Sequence, residues 1–178
     1  MSVNKPLLGW VFLGWLFAAG SLSSPAFADE ATIEAAFIFN IIKYTNWPET
    51  SLLSDHHLLL CYVGADSPLG DAIDELHGKR INTFIIDVRK TTRLSNLGAC
   101  HVAILGKDVE FDAFRKAQSP FALTVGEGVN FVNQGGGVGL YRLDDRIRFD
   151  VNLDSTKAKG LKISANLLRL ARNVQGNQ

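Results

Sequence analysis

The stretch GGGVGLYRLDDRIRFDVNLDSTKAKGLKISANLLRLARNV, residues Gly135–Val174, has the most regular pattern in the chain. Two runs of alternating apolar and polar residues, Val138–Leu143 and Arg146–Leu153, flank the pair Asp144-Asp145. Alternation with a period of two is typical of antiparallel strands that bury one face. The stretch therefore predicts a β-hairpin near the end of the chain.

The register of this hairpin depends on the length of its loop. A two-residue loop would pair Leu140 with Phe149 on the inner face, and Tyr141 with Arg148 on the outer face, where the two side chains suit a cation–π contact. Asp-Asp is not an ideal primed turn, so a longer loop stays open. The outer face is a candidate partner or ligand surface, and the alternative is an ordinary solvated face with Asp150 and Arg148 as a surface charge pair. The candidates on this face are Tyr141, Arg146, Arg148, Asp150 and Asn152.

Two short helices are predicted after the hairpin. Asp154 can cap a helix over Ser155–Lys159, and Gly160 suits its left-handed stop. Ser164 can cap a second helix over Ala165–Val174, in which apolar residues recur at i, i+3, i+4 and i+7.

Residues 1–28 have the features of a secretory signal peptide. Lys5 supplies a positive charge, Leu7–Ala19 is an apolar core, and Ala26–Ala28 forms a small-x-small cleavage site. An uncleaved membrane anchor is the alternative, but the apolar core is short and no basic stop follows it. Cleavage after Ala28 would leave 150 of the 178 residues, 29–178, as one domain.

Charge and cysteine content limit the classes of function. The 18 basic residues include Lys5, so the mature chain has 17 basic and 18 acidic residues, about −1 in net charge. This balance argues against nucleic acid as the main partner. In an exported protein, Cys61 and Cys100 most simply form one disulfide. Two free, buried thiols are the alternative, because Cys61 lies late in its predicted strand and Cys100 precedes its own.

Strands and helices alternate between the two ends of the mature chain. The predicted strands are Leu58–Val63, Phe84–Val88, His101–Leu105 and Phe121–Val125. The predicted helices are Ala31–Tyr44, one that starts at Pro68 and ends at Gly78, and Asp108–Gln118. Such alternation implies a mainly parallel sheet with right-handed crossovers. We therefore predict a single α/β domain of three layers, Rossmann-like or flavodoxin-like, with the C-terminal hairpin extending the sheet at an edge.

The first helix is apolar nearly all round. Its main stripe consists of Ile33, Ala36, Phe37, Ile41 and Tyr44. Such a helix is either buried on several sides or pairs with another subunit. Asn40 lies on the stripe, where a buried amide bonded to neighbouring backbone is favoured over a ligand contact. Pro48 ends the helix by moving Trp47 out of helical geometry. Trp47 is expected to stabilise the fold, with a contact role as the alternative.

The chain contains no credible catalytic set. The segment Gly64–Gly70 resembles a phosphate loop, but its glycine spacing is wrong and Asp71 stands where a lysine is needed. The histidines, none of which has a partner at a metal-binding spacing, are His56, His57, His77 and His101. The sequence therefore predicts no enzyme activity, no metal and no cofactor.

Two motifs resemble the YfiR-like family of periplasmic proteins. One is the C-terminal pattern GG-x-V-x-L, D-x-R-x-R-F-x-VNLD and G-L-x-I-S-x-x-LL-x-LA-x-x-V. The other is the N-terminal stretch AAFIFNIIKYTNWP. The residues of this stretch that match the family position by position are Ala35, Ala36, Phe37, Asn40, Lys43, Tyr44, Trp47 and Pro48. Together the two motifs bracket residues 29–178.

This resemblance implies a function and a set of partners. It implies a periplasmic protein that binds and represses the sensor domain of an inner-membrane diguanylate cyclase or sensor kinase. It also implies a homodimer, and an outer-membrane lipoprotein of the OmpA type as a second partner. A periplasmic small-molecule binding module is the alternative function, since open α/β sheets bind ligands at the carboxyl ends of their strands. Cys61 and Cys100 match the first of two family disulfides, and the second has no counterpart in this chain.

Overall fold

The computed structural model describes residue 1 and residues 26–48 and 56–176. Most of the predicted signal peptide, residues 2–25, lies outside this part of the chain. Residues 26–28 form the first residues of the first helix, and cleavage after Ala28 stays a prediction.

The fold consists of ten strands, five α-helices and one 3₁₀ helix in the described residues. The strands are β1 Thr45–Asn46, β2 His57–Val63, β3 Arg80–Ile81, β4 Phe84–Thr91, β5 Val102–Leu105, β6 Leu123–Glu127, β7 Val138–Leu143, β8 Arg146–Asn152, β9 Lys162–Ile163 and β10 Asn173–Gln175. The helices are α1 Ala26–Lys43, α2 Pro68–Asp74, the 3₁₀ helix Leu94–Ala99, α3 Phe111–Ala117, α4 Leu153–Ala158 and α5 Ala165–Leu168.

Eight of these strands form one sheet in the order β10-β8-β7-β6-β5-β2-β4-β3. The inner pairs β4–β2, β2–β5, β5–β6 and β6–β7 are parallel, whereas β7–β8 and β3–β4 are antiparallel. The prediction of an α/β domain with a mainly parallel sheet is confirmed. Because the inner strands are parallel, the carboxyl ends of β2, β5 and β6 lie at the same edge of the sheet.

Apolar side chains pack on both faces of this sheet, which produces the predicted three layers. One face packs against α1 and α2, with Ile38, Ile42 and Ile73 fully buried. The other face packs against α3 and the 3₁₀ helix, through Phe114 and Leu97. Strands buried on both faces explain the continuous apolar runs in β2 and β5.

The hairpin β7–β8 has a two-residue loop, so the alternative of a longer loop is wrong. Leu140 pairs with Phe149 and Tyr141 with Arg148, as the shorter loop requires. Asp144 and Asp145 have φ values of 49° and 57°, the left-handed conformation that a type I′ turn needs at both positions. Asp tolerates this conformation better than most residues do.

The C-terminal segment differs from the predicted helix Ala165–Val174. Helix α5 ends at Leu168, and Asn173–Gln175 form β10, which pairs in parallel with β8. We expected the hairpin to form an edge of the sheet. This expectation is wrong, because β10 lies outside β8 and forms that edge. The reason is tertiary: β8 offers unpaired backbone groups, and the Arg172 amide donates to the Phe149 carbonyl at 2.9 Å.

The caps of the last two helices are partly as predicted. Asn152, not Asp154, caps α4, because its side-chain oxygen accepts from the Ser155 amide at 2.8 Å. Ser164 caps α5 by accepting from the Leu167 amide, as expected. Gly160 has a φ of 73°, the left-handed conformation predicted there.

Cys61 and Cys100 form a disulfide, with their Cα atoms 6.0 Å apart. In the ladder Cys61 lies opposite Ala103, so the two cysteines are not aligned in neighbouring strands. Cys100 instead ends the 3₁₀ helix, where its amide donates to the Leu97 carbonyl. Cys100 packs in the same core cluster as Leu97 of the 3₁₀ helix and Cys61 of β2, which brings the two cysteines within bridging distance.

Candidate functional site

Helix α1, strand β8 and α5 border an apolar groove of about 570 Å³. Its lining residues are Ile33, Ala36, Phe37, Asn40, Ile41, Tyr44, Ile147, Arg148, Phe149, Leu167 and Leu170. Three large apolar side chains in it are unusually open to solvent: Ile33 is 43% exposed, Tyr44 37% and Leu170 69%. A contiguous exposed apolar surface is typical of a protein interaction site.

The groove explains why α1 is apolar nearly all round. The main stripe that its sequence period indicates, Ile33 to Tyr44, is the side that lines the groove. The residues that widen the stripe are Ala35, Ile38 and Ile42, which are buried in the core, and Phe39, which is partly buried, while Ile41 of the main stripe is also buried. One side of the helix therefore holds the fold together and the adjacent side faces the groove.

Two of the candidate partner or ligand residues, Asn40 and Arg148, line this groove. Asn40 is exposed, and its side-chain amide donates to the Ala36 carbonyl one turn back at 2.9 Å. The expectation that Asn40 is buried is therefore wrong, because the stripe faces outward. Arg148 is exposed on β8 and lines the groove from the other side. Arg146 is also exposed, but it lies beside the turn and outside the lining.

Three other candidates, Tyr141, Asp150 and Asn152, are buried. The Tyr141 hydroxyl donates to the Asp150 carboxylate at 2.8 Å, and the Arg172 guanidinium donates to that hydroxyl at 3.3 Å. Asp150 is only 5% exposed, so the expectation of a surface charge pair with Arg148 is wrong. Burial raises the pKa of Tyr141, which keeps its hydroxyl protonated as a donor. Asn152 is also buried and donates to the Val132 carbonyl at 2.9 Å.

Trp47 connects two parts of the fold. Its indole N–H donates to the backbone carbonyl of His101 at 3.2 Å, and its ring packs against the main core. The imidazole Nδ1 of His101 accepts from the Leu59 amide at 3.0 Å, which suits the structural role predicted for this histidine. Trp47 therefore joins the end of α1 to the start of β5.

A second concave surface lies at the carboxyl ends of β5 and β6, the edge of the sheet where the sequence predicts the alternative ligand site without indicating any of its residues. This cleft has a volume of about 470 Å³. Its charged lining residues are Glu30, Glu34, Lys107, Glu127 and Arg142. They come from α1, from the strand ends and from β7. Strand-end position was the available signal for Lys107 and Glu127, but the partners of these residues depend on how α1 packs.

Most charges in this cleft are paired. Arg142 contacts the Glu30 carboxylate at 2.9 Å, and Lys107 contacts the Glu127 carboxylate at 2.6 Å. Glu34 makes no hydrogen bond or ion pair with any residue in the described ranges. Burial, and next the nearby Glu127 charge, raise the pKa of the Glu34 carboxyl to about 7.

Within residues 26–48 and 56–176, no group of three or more His, Cys, Asp or Glu side chains could hold a metal ion. The helices of those same ranges are all too short or too polar to cross a bilayer.

The fold and the groove together define an α/β domain with a surface suited to protein contacts. The family described as YfiR/HmsC-like matches residues 31–172, and the chain belongs to this family. Membership implies a periplasmic regulator in cyclic-di-GMP signalling. No curated protein matches the chain.

Solved structures show similarity in fold. One is a conserved domain protein from Vibrio cholerae, with a TM-score of 0.48, 9% identity and coverage of 82% of this chain and 60% of that one. Another is the ABC domain in complex with L-Trp from Streptococcus pneumonia, with a TM-score of 0.50, 9% identity and coverage of 76% and 60%. This chain therefore spans about three fifths of the length of these structures.

Proposed function

We propose that this protein binds the periplasmic sensor domain of an inner-membrane diguanylate cyclase or sensor kinase and represses it. The observation that carries the proposal is the apolar groove, where Ile33, Tyr44 and Leu170 expose large apolar surface. Family membership supports the regulatory role and the periplasmic compartment. The disulfide agrees with an oxidising compartment.

The groove has the composition of a protein interface. Its apolar floor includes the buried Ile41 and Phe149, and its rim includes the exposed polar side chains of Asn40 and Arg148. Interfaces commonly combine an apolar centre with a polar rim, and arginine is enriched in them. An apolar side chain or a helix of the sensor domain would fill such a groove.

Repression requires that the protein binds one state of the sensor more tightly than the other. The size of the effect equals the difference in binding free energy between the two states. A homodimer and capture by an outer-membrane lipoprotein of the OmpA type are part of the same proposal. If either uses the groove, it would compete with the sensor for the same apolar surface.

The test is a pull-down of tagged mature protein from crosslinked periplasm and inner membrane, with bound proteins identified by mass spectrometry. We expect recovery of a membrane cyclase or kinase, and loss of that recovery when its periplasmic domain is deleted. Recovery of the protein itself alone would contradict the regulator function.

Two variants locate the contact surface. Leu170→Asp places a charge in the groove and should reduce recovery of the membrane partner at least about tenfold. Val129→Asp is the matched control, since Val129 is 48% exposed and does not line the groove. Both variants should keep the melting temperature of the parent protein. Equal recovery with the two variants would exclude the groove as the docking surface.

A second candidate function is small-molecule binding. The cleft at the carboxyl ends of β5 and β6 favours it, because open α/β sheets bind ligands at this edge. The two functions are compatible, with a ligand modifying the affinity of the regulator for its partner.

A further inference from the structure

We propose that the cleft at the carboxyl ends of β5 and β6 binds a small organic ammonium ion, with its charge on Glu34 and its apolar part on Phe111 and Phe131. This inference rests on the second candidate function, small-molecule binding, and does not require a protein partner.

The size and place of the cleft suit a small ligand. Its volume is about 470 Å³, and a neighbouring depression of about 420 Å³ shares Glu30, Glu34, Lys107 and Glu127 with it. Ligand pockets in proteins span roughly 300–1,000 Å³. The neighbouring depression extends to the end of β2, where Asp66 and Ser67 line it.

The charges of the cleft favour a cation over an anion. Lys107 and Arg142 are its two basic residues, and each already contacts a carboxylate, of Glu127 and Glu30 respectively. An anion would have to compete with these bonds. Glu34 forms no hydrogen bond or ion pair with a described residue, and only the charge of Lys107, which is already paired with Glu127, favours its ionised form. A further positive charge is therefore the partner that Glu34 would favour.

The surroundings of Glu34 increase the benefit of such a partner. Burial raises the pKa of its carboxyl to about 7, Glu127 and Glu30 act in the same direction, and Lys107 opposes them. In the free protein the combined effect of these groups therefore disfavours the ionised carboxylate. A bound ammonium would supply a charge-assisted hydrogen bond at this position.

Two aromatic side chains line the same cleft. Phe111 and Phe131 meet edge to face, with ring centroids 5.4 Å apart. Gly126 and Gly136 allow the Phe131 ring to approach, since a Cβ atom on them would lie 2.3 and 2.1 Å from it. Aromatic side chains and a carboxylate in one lining suit a cation that carries apolar groups.

A metal ion is a poorer candidate. Hard divalent cations need several oxygen ligands at once, and the described residues form no group of three or more metal-ligating side chains. An organic ammonium needs only one carboxylate and an apolar surface. The observations therefore favour an amine that is apolar beyond its charged group.

The probe for the test is hexylammonium, with 1-hexanol as a control of the same length that lacks the charge. Binding is followed by amide chemical shifts of the purified mature protein at pH 8, where the carboxylate is ionised and the amine stays protonated. Hexylammonium should shift amides of Lys107, Glu127 and Phe131, and 1-hexanol should bind at least about tenfold more weakly.

Two variants and a pH series complete the test. Glu34→Gln keeps the shape of the side chain and should weaken binding about tenfold or more, whereas the exposed Glu75→Gln should not. Because the Glu34 pKa is about 7, binding by the parent protein should strengthen about tenfold between pH 6 and 8. The other charged groups that line the cleft or its neighbour are Glu30, Asp66, Lys107, Asp108, Glu127 and Arg142.

The ammonium site and the regulator function are tested independently of each other. No shift with hexylammonium, equal binding by 1-hexanol, or undiminished binding by Glu34→Gln would overturn the ammonium site. Leu170→Asp should bind the probe normally, because Leu170 lies in the groove and not in the cleft. A failure of partner capture with intact probe binding would therefore affect the regulator function alone.

Discussion

The Arg142 guanidinium on β7 lies 2.9 Å from the Glu30 carboxylate near the start of α1. This ion pair links the beginning of the helix to the hairpin. Glu34, one turn later, lines the cleft, whereas Ile33 lines the groove. Helix α1 therefore contributes to both candidate surfaces. A ligand that changed the position of α1 would act on both, which is the physical requirement for coupling between two sites.

The pH dependence of stability should depend on Glu34. The folded pKa, about 7, is above the usual value of 4.5, so the folded state retains a proton that the unfolded state releases. The resulting stability is present below about pH 4.5 and is lost as the pH rises to 7. Because Glu34 is only half-buried, solvent screening reduces the effect of this shift, and Glu34→Gln should stabilise the fold by about 1–2 kcal/mol at pH 8 and have little effect at pH 4.5.

Urea unfolding of both proteins at the two pH values measures this difference. Glu75→Gln is the control and should show no such pH-dependent gain, because Glu75 is exposed. An equal effect of Glu34→Gln at both pH values would mean that its carboxyl titrates normally in the folded protein.

The buried pair Tyr141 and Asp150 should stabilise the hairpin. Asp150→Ala leaves the Tyr141 hydroxyl without its acceptor in a buried position, and we expect a loss of about 1–3 kcal/mol in the free energy of unfolding. Asp74→Ala, at an exposed position on α2, should change it by less than about 0.5 kcal/mol.

A double-mutant cycle isolates this interaction. The effect of Asp150→Ala should be smaller in a protein that already carries Tyr141→Phe, because the hydroxyl is then gone. Strictly additive effects of the two substitutions would show that the hydrogen bond between them contributes nothing.

Trp47 should contribute to stability in two ways. Trp47→Phe removes the hydrogen bond to the His101 carbonyl and should cost about 1 kcal/mol, while Trp47→Ala also removes apolar contact and should cost about 2–4 kcal/mol. Circular dichroism during thermal and urea unfolding measures both losses. An unchanged melting temperature for Trp47→Ala would favour the contact role over the structural one.

The disulfide should stabilise the mature protein. The bridge closes a loop with a sequence separation of 39 residues, and the chain-entropy relation gives about 4 kcal/mol for a loop of this length. The double variant Cys61→Ala/Cys100→Ala should lose up to this amount of its free energy of unfolding. Its midpoint of unfolding should therefore lie at a lower urea concentration. Mass spectrometry of periplasmic protein without reductant checks the bond itself, and two free thiols would disprove it.

The sequence was least informative about the outer side of the hairpin. Alternation placed Tyr141, Asp150 and Asn152 on one face, and the pairing in the structure agrees. It did not reveal that this face is covered, because the covering groups, Val132 and Arg172, lie elsewhere in the chain. The same limit applies to β10. The sequence has a helical period there, but in the structure this segment pairs with β8 as a strand.

The sequence by itself determined the strands β2, β4, β5, β6, β7 and β8 to within a few residues, the position of the hairpin turn, the cap at Ser164 and the family. These features depend on residues within a few positions of each other, or on motifs that stand in one stretch. Only the tertiary structure decided which side of α1 faces solvent and which charges meet at the strand ends. The physical reason is that α1 is apolar nearly all round, so its burial depends on what packs against it.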